Sequence, residues 1–202
     1  MKIQNIFNNV LFGKSLVAKC SVFHKEKGSI PCSIFQLSES EDSDYFEKIN
    51  NKSDWQNARY LNYLISDLKS LANAPYSSIY SLETCSGDCL AYSEIEESSN
   101  EAYEILLLET APKLISKNTK NVSPYKYIGE TFVAFLAKKS MNEKKTHLDV
   151  VPAVRAENFY THNCFFKKSK NSEEPFYLKR SKFKKLINQN VEHTKSHIRF
   201  VG

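Results

Sequence analysis

A chain of 202 residues with 41% hydrophobic types buries one sizeable core, so one domain with some length to spare is expected. No apolar run approaches the ~18 residues of a membrane span, and the start (Met1-Lys2-Ile3-Gln4-Asn5) is not a basic stretch followed by a continuous apolar one. Membrane partners and a secretory signal are therefore not expected, and five scattered cysteines (Cys20, Cys32, Cys85, Cys89, Cys164) read as reduced thiols in a cytoplasmic setting.

The net charge of +5 is uneven. Ten of the 28 Lys and Arg fall between Cys164 and Gly202, against three of the 23 Asp and Glu, so this last fifth carries +7 and the remainder −2. Such a segment suits an anionic cofactor, a nucleic acid or an acidic partner, and equally a solvated face.

In chain order, residues 1–28 are weakly patterned, with short apolar pieces at Val10-Leu11-Phe12 and Leu16-Val17-Ala18. A strand is expected over 31–37, then a polar loop over 38–44 and a helical turn over 45–49. A helix follows over 53–72: Ser53 with Gln56 fits a capping box, and Trp55, Ala58, Leu61, Leu64, Ile65, Leu68 and Leu71 form one apolar stripe. Ala74-Pro75 ends it. Three strands follow, over 78–83, 89–95 and 102–110. The turns Ser86-Gly87-Asp88 and Glu97-Ser98-Ser99-Asn100 are short, which favours an antiparallel meander. Then come a helix over 128–140, a strand over 147–151, a short helix over 154–162, and closing strands over 165–168 and 176–179. A basic tail, helical in pattern, starts near Ser181.

The richest stretch runs from Glu104 to Phe166. The apolar strand Ile105-Leu106-Leu107-Leu108 empties through a loop into a helix opened by Tyr125-Lys126-Tyr127-Ile128-Gly129-Glu130. A helix start offers free backbone N–H groups and a positive dipole end, which suits a phosphate. One strand later, Ala156, Phe159-Tyr160 and Cys164-Phe165 follow.

This order of elements and these two blocks resemble the GNAT superfamily of acyl-CoA-dependent N-acyltransferases over residues 31–179. The resemblance implies an α+β fold with a mixed, mostly antiparallel central sheet flanked by helices in three layers. It divides the chain into an N-terminal extension packed on the domain (1–30), the acyltransferase domain (31–180) and a basic C-terminal tail (181–202). It also implies that acyl-CoA slots between the fourth and fifth family strands, with its pyrophosphate on amides of a Gln/Arg-x-x-Gly-x-Gly/Ala loop. Here that loop is Pro124-Tyr125-Lys126-Tyr127-Ile128-Gly129; Gly129 is kept, while Pro124 and Tyr127 replace Gln/Arg and the first glycine. By this resemblance the amides of Tyr127, Ile128, Gly129, Glu130 and Thr131 hold the cofactor, Lys126 adds a phosphate contact, and amides around Leu108 and Thr110 pair with the pantetheine arm.

In the same resemblance Tyr160 is the general acid that protonates the departing thiolate. The amine must also lose a proton, and a carboxylate at the strand end suits that task. Glu109 ranks first as base, then Glu83, with Glu94 on the neighbouring strand. The implied activity is acetyl transfer from acetyl-CoA to a primary amine on a small molecule or protein, by direct attack and without metal. Two other readings stay open: a non-catalytic binding module of the same fold, and an acetyltransferase directed to RNA or aminoacyl-tRNA through the basic C-terminal region. Cys85 and Cys89 lack a second ligand pair, so no zinc site is expected. His193 and His197 read as a solvated pair, and Phe176-Tyr177 with Lys179 and Arg180 as a final strand.

Overall fold

In a computed structural model, the described residues are 14–37, 52–55, 58, 77–114, 123–171 and 174–201. The turn expected over 45–49, the Val10-Leu11-Phe12 piece and most of the helix expected over 53–72 lie outside them. Of that helix, Ser53–Trp55 is described as a single 3-10 turn.

Nine strands form one sheet. They are β1 (Lys14–His24), β2 (Gly28–Leu37), β3 (Ser77–Thr84), β4 (Cys89–Ser99), β5 (Ala102–Thr110), β6 (Tyr125–Lys126), β7 (His147–Val150), β8 (Phe176–Lys179) and β9 (Arg199–Phe200). Their spatial order is β6-β1-β2-β3-β4-β5-β7-β8, and β9 also pairs with β1. Every pairing is antiparallel except β5 with β7. The expected meander is thus β3-β4-β5. Gly87, at φ 80, closes its first turn, and β4 continues through Ser99 where a turn was expected.

Residues 14–24 and 28–30, expected as part of a packed extension, are strands of the sheet itself. The boundary at residue 30 falls inside the β1–β2 hairpin, whose register runs from Lys14↔Leu37 to His24↔Gly28. Short apolar pieces concealed an 11-residue strand because its buried residues (Ala18, Cys20, Ser21, Val22, His24) mix small and polar types.

Helix α1 (Ile128–Asn142) crosses one face of the sheet, between β6 and β7. Its buried residues run without a break from Glu130 to Ala137, because it is covered on both sides. The sheet contributes Tyr80, whose ring meets Phe135 edge-on at 5.4 Å, and Phe200 stacks on the same ring at 5.5 Å. Helix α2 (Arg180–Thr194) covers the other side with Phe183, Leu186, Asn190 and Thr194, a stripe at helical spacing. The basic tail is therefore a docked helix whose inner face is apolar and whose outer face carries the lysines.

The second face of the sheet holds a smaller core of Leu37, Trp55, Ile79, Cys89, Tyr92 and Ala111. Trp55 stacks on Tyr92 with centroids 4.9 Å apart and donates its indole N–H to the Cys89 carbonyl at 3.0 Å.

Two local expectations are corrected. The helix over 154–162 is instead a 3-10 turn (Val154–Ala156) and a π-helical turn (Phe159–Asn163). The π turn closes with the Cys164 amide on the Phe159 carbonyl at 3.2 Å. The strand expected over 165–168 is reduced to one bridge, Lys167↔Tyr177. Phe165 has φ 63, in the left-handed region, and breaks any extended run there.

Candidate active site

β5 and β7 run parallel for only four residue pairs, from Ala102↔His147 to Ile105↔Val150. Beyond them β5 continues to Thr110 while β7 stops at Val150. A β-bulge coincides with this parting: Glu94 pairs with Leu107 and Ile95 with Ile105, leaving Leu106 as the extra residue. A bulge bends its strand and raises the local twist, and this one falls where the pairing of β5 with β7 ends. The two residues that would pair next are Leu106 and Val151, and they are 44% and 67% exposed. Two apolar side chains thus flank an open gap in an otherwise packed sheet.

The first turn of α1 lies on the same edge of the sheet. A parallel pair needs a crossover, and α1 runs back from the edge where β5 ends to the edge where β7 starts. Tyr127, the N-cap, has φ 64 and ψ 18 and makes no side-chain cap. The first intrahelical bond is Thr131 N–H to the Tyr127 carbonyl at 2.8 Å. A left-handed residue followed by helical ones points successive N–H groups into one concavity, an arrangement that binds anions.

Tyr127 sits where the resemblance has glycine, and two ring contacts hold it. Its ring stacks on His193 with centroids 4.2 Å apart and planes 14° apart, and meets Phe23 edge-on at 6.5 Å. His193 Nδ1 lies 2.8 Å from Glu130 Oε1, and Gln189 donates to Glu130 Oε2 at 3.0 Å. Glu130 is 2% exposed, so its carboxylate is committed to α2 and only its amide faces the helix start. The ring is thereby directed to β1 and α2, away from the gap between β5 and β7. His193 is half-buried and partnered, where a solvated residue was expected: side-chain spacing alone did not reveal that it faces Glu130 across two helices.

Gly129 explains itself by packing. A Cβ there would lie 3.1 Å from the Phe159 ring. This contact joins the two sequence blocks, because Phe159 begins the π turn that carries Tyr160. Tyr160 is buried against the edges of Phe159 and Phe166, at 5.0 and 5.3 Å. Burial, and then Cys164, push its phenol pKa well up, so the proton is retained at neutral pH. Ile128 and Thr131 are buried; Lys126 is exposed beside β1, paired with Phe23. Thr131 Oγ1 accepts from Asn190 Nδ2 at 2.9 Å.

On β5, Leu108 packs against the α1 side, whereas Leu107 joins the Trp55 side. Glu109 lies on the Trp55 side and accepts a hydrogen bond from Tyr92, its cross-strand partner. Burial, and then Glu109, raise the Tyr92 phenol pKa, which keeps Tyr92 a donor. Tyr92 escaped the sequence reading because its alternation fits a plain core strand. Thr110 pairs with Ala91 at the end of β5. Glu83 is tied elsewhere, accepting from Ser81 at 2.7 Å and from Lys14 at 2.8 Å. Glu94 is buried opposite Leu107. Among the described residues no group of three or more His, Cys, Asp or Glu is arranged to hold a metal.

No family model matches this sequence, and no curated protein matches it. Solved structures do. A mutant of the spermidine N-acetyltransferase SpeG from Vibrio cholerae superposes with a TM-score of 0.53 at 14% identity, over 75% of this chain and 95% of that one. A protein classed as an acetyltransferase from Exiguobacterium gives 0.51 at 12%, over 76% and 97%. One classed in the GNAT family, from Desulfovibrio desulfuricans, gives 0.50 at 8%, over 74% and 99%. The chain has the GNAT fold, with a mixed sheet and flanking helices.

Proposed function

We propose that this protein is an N-acetyltransferase that moves an acetyl group from acetyl-CoA to a primary amine. The observation that carries this reading is the parting of β5 from β7 after Ile105 and Val150, with Leu106 and Val151 exposed across it. An apolar slot beside an uncapped helix start suits an acyl-pantetheine arm with a phosphate-rich tail. The N–H groups of Tyr127 to Glu130 and the Lys126 ammonium take the phosphates, the Thr131 N–H expected among them being held by the Tyr127 carbonyl, and amides near Leu108 and Thr110 take the arm.

The amine nitrogen attacks the thioester carbonyl, and negative charge develops on its oxygen. Backbone N–H groups stabilise that charge. Glu109, oriented by Tyr92, takes the proton from the amine through water. As the tetrahedral intermediate collapses, the C–S bond breaks and Tyr160 gives its proton to the thiolate. Glu109 lies on β5 and Tyr160 on the turn that packs against Gly129, and this rigid backbone supports a reading in which both are fixed before substrate arrives.

Calorimetric titration with acetyl-CoA tests the first half: saturable binding is expected, and none at high micromolar concentration would sink the catalytic reading. Assay with a panel of amines tests the second half. Binding without acetylation of any amine would instead favour a binding module of the same fold. The Tyr160→Phe variant should lose about 10²–10⁴-fold in turnover with acetyl-CoA affinity held.

A further inference from the structure

Phe165, Lys167, Lys179, Ser181 and Lys182 line one shallow depression of about 60 Å³. Lys185 joins them, its ammonium 4.2 Å above the Phe165 ring. All four lysines are exposed, and among the described residues none of them makes an ion pair. The nearby Lys168 does, with Glu157 at 3.2 Å. No carboxylate lines the depression. Lys179 is the N-cap of α2 and Lys182 lies in its first turn, which has no acidic residue and no side-chain cap. Cations are unfavourable at a helix start, and like charges gathered around one depression repel one another. A surface that gathers like charge against the helix dipole is stabilised by an anion placed upon it. Phe165 is held at φ 63 and half-buried, so part of its ring stays open among the lysines.

We propose that this depression binds single-stranded nucleic acid, with the lysines on backbone phosphates and the Phe165 ring, uncovered when the exposed Lys185 turns from it to a phosphate, as a platform for one base. The lysines are too exposed to desolvate a single small anion, so each ammonium holds its phosphate weakly. A polymer engages several at once, and an aromatic ring among phosphate-binding lysines matches a base rather than an acidic side chain. The surface is separate from the first turn of α1. Lys182 and Gln189 are seven residues apart on α2, about 10 Å, and Gln189 is the residue that reaches Glu130. The inference therefore stands independently of acetyl transfer.

The test is fluorescence anisotropy of a 20-nucleotide unstructured RNA with the full chain over 50–300 mM KCl. Affinity should fall steeply with salt. Combining Lys167→Gln, Lys182→Gln and Lys185→Gln should flatten the log–log slope by about 2, at roughly 0.7 for each phosphate no longer neutralised. Phe165→Leu should weaken binding at least ~5-fold with the slope unchanged. Circular dichroism checks that each variant is folded, and acetyl-CoA affinity of the triple variant should match the parent. No RNA binding at 50 mM KCl, or an unchanged slope in the triple variant, overturns the proposal. So does a Phe165→Leu variant that binds as the parent does, which would leave an unselective polyanion surface. Loss of acetyl-CoA affinity with RNA binding intact would give the lysines to the cofactor and also overturn it.

Discussion

Tyr127 occupies a backbone conformation that costs an L-residue about 1 kcal/mol and that glycine adopts freely. The chain offsets this with ring contacts to His193 and Phe23, so the concave amide turn is kept by side-chain packing from another helix. His193 is a positioning residue in this account: it touches Glu130 and Tyr127 and not the reacting atoms. His193→Ala leaves the buried Glu130 carboxylate with Gln189 alone, and should destabilise the fold by about 1–3 kcal/mol in urea unfolding. It should also weaken acetyl-CoA binding while kcat at saturation is held. His193→Phe, which keeps the stack and loses the bond, should recover part of that affinity; no recovery would show that the stack does not shape the turn. None of this was legible in the sequence. The pair Glu130 and His193 is separated by 63 positions, and nothing local marks either residue.

Between elements, the contact of Gly129 with Phe159 couples the start of α1 to the turn bearing Tyr160. Gly129→Ala gains helix propensity of about 0.5–1 kcal/mol but forces the Phe159 ring aside. A net loss of about 1 kcal/mol is expected by chemical denaturation, and a net gain would show the packing there to be loose. A second element-scale effect lies on β4, β5 and β7, where Glu96 pairs with Glu104 and Glu104 with Asp149. Burial, then Asp149 and Glu96, raise the Glu104 pKa. The folded chain thus holds this proton more tightly than the unfolded one, so stability falls as pH rises through the ordinary Glu range and stays lower above the folded value. Glu104→Gln should raise stability at pH 7 by about 0.5 kcal/mol. That corresponds to ~1–2 °C in Tm. The gain should vanish below the ordinary Glu pKa, and a gain equal at all pH values would assign it to packing.

Across the whole molecule, the β3-β4-β5 meander and α1 followed from alternation and helical spacing, because each carries large apolar residues at the period of its element. The order of strands around the gap followed from the resemblance, since no local signal tells a splayed strand from a paired one. β1 was missed because its buried face mixes Ala, Cys, Ser and His. The bulge at Leu106 was missed because four consecutive apolar residues, Ile105 to Leu108, hide a change of face. Glu109 and Tyr160 were named from the sequence, while Tyr92, which orients Glu109, required the cross-strand register.

The central claim is that the gap between β5 and β7 and the start of α1 together receive one ligand. Hydrogen exchange of the full chain with and without saturating acetyl-CoA reads both at once. Slowed exchange is predicted in peptides covering 105–110 and 126–131, with the β1–β2 hairpin unchanged. Exchange unaltered in those two segments at saturating acetyl-CoA, or altered only elsewhere, would contradict the account.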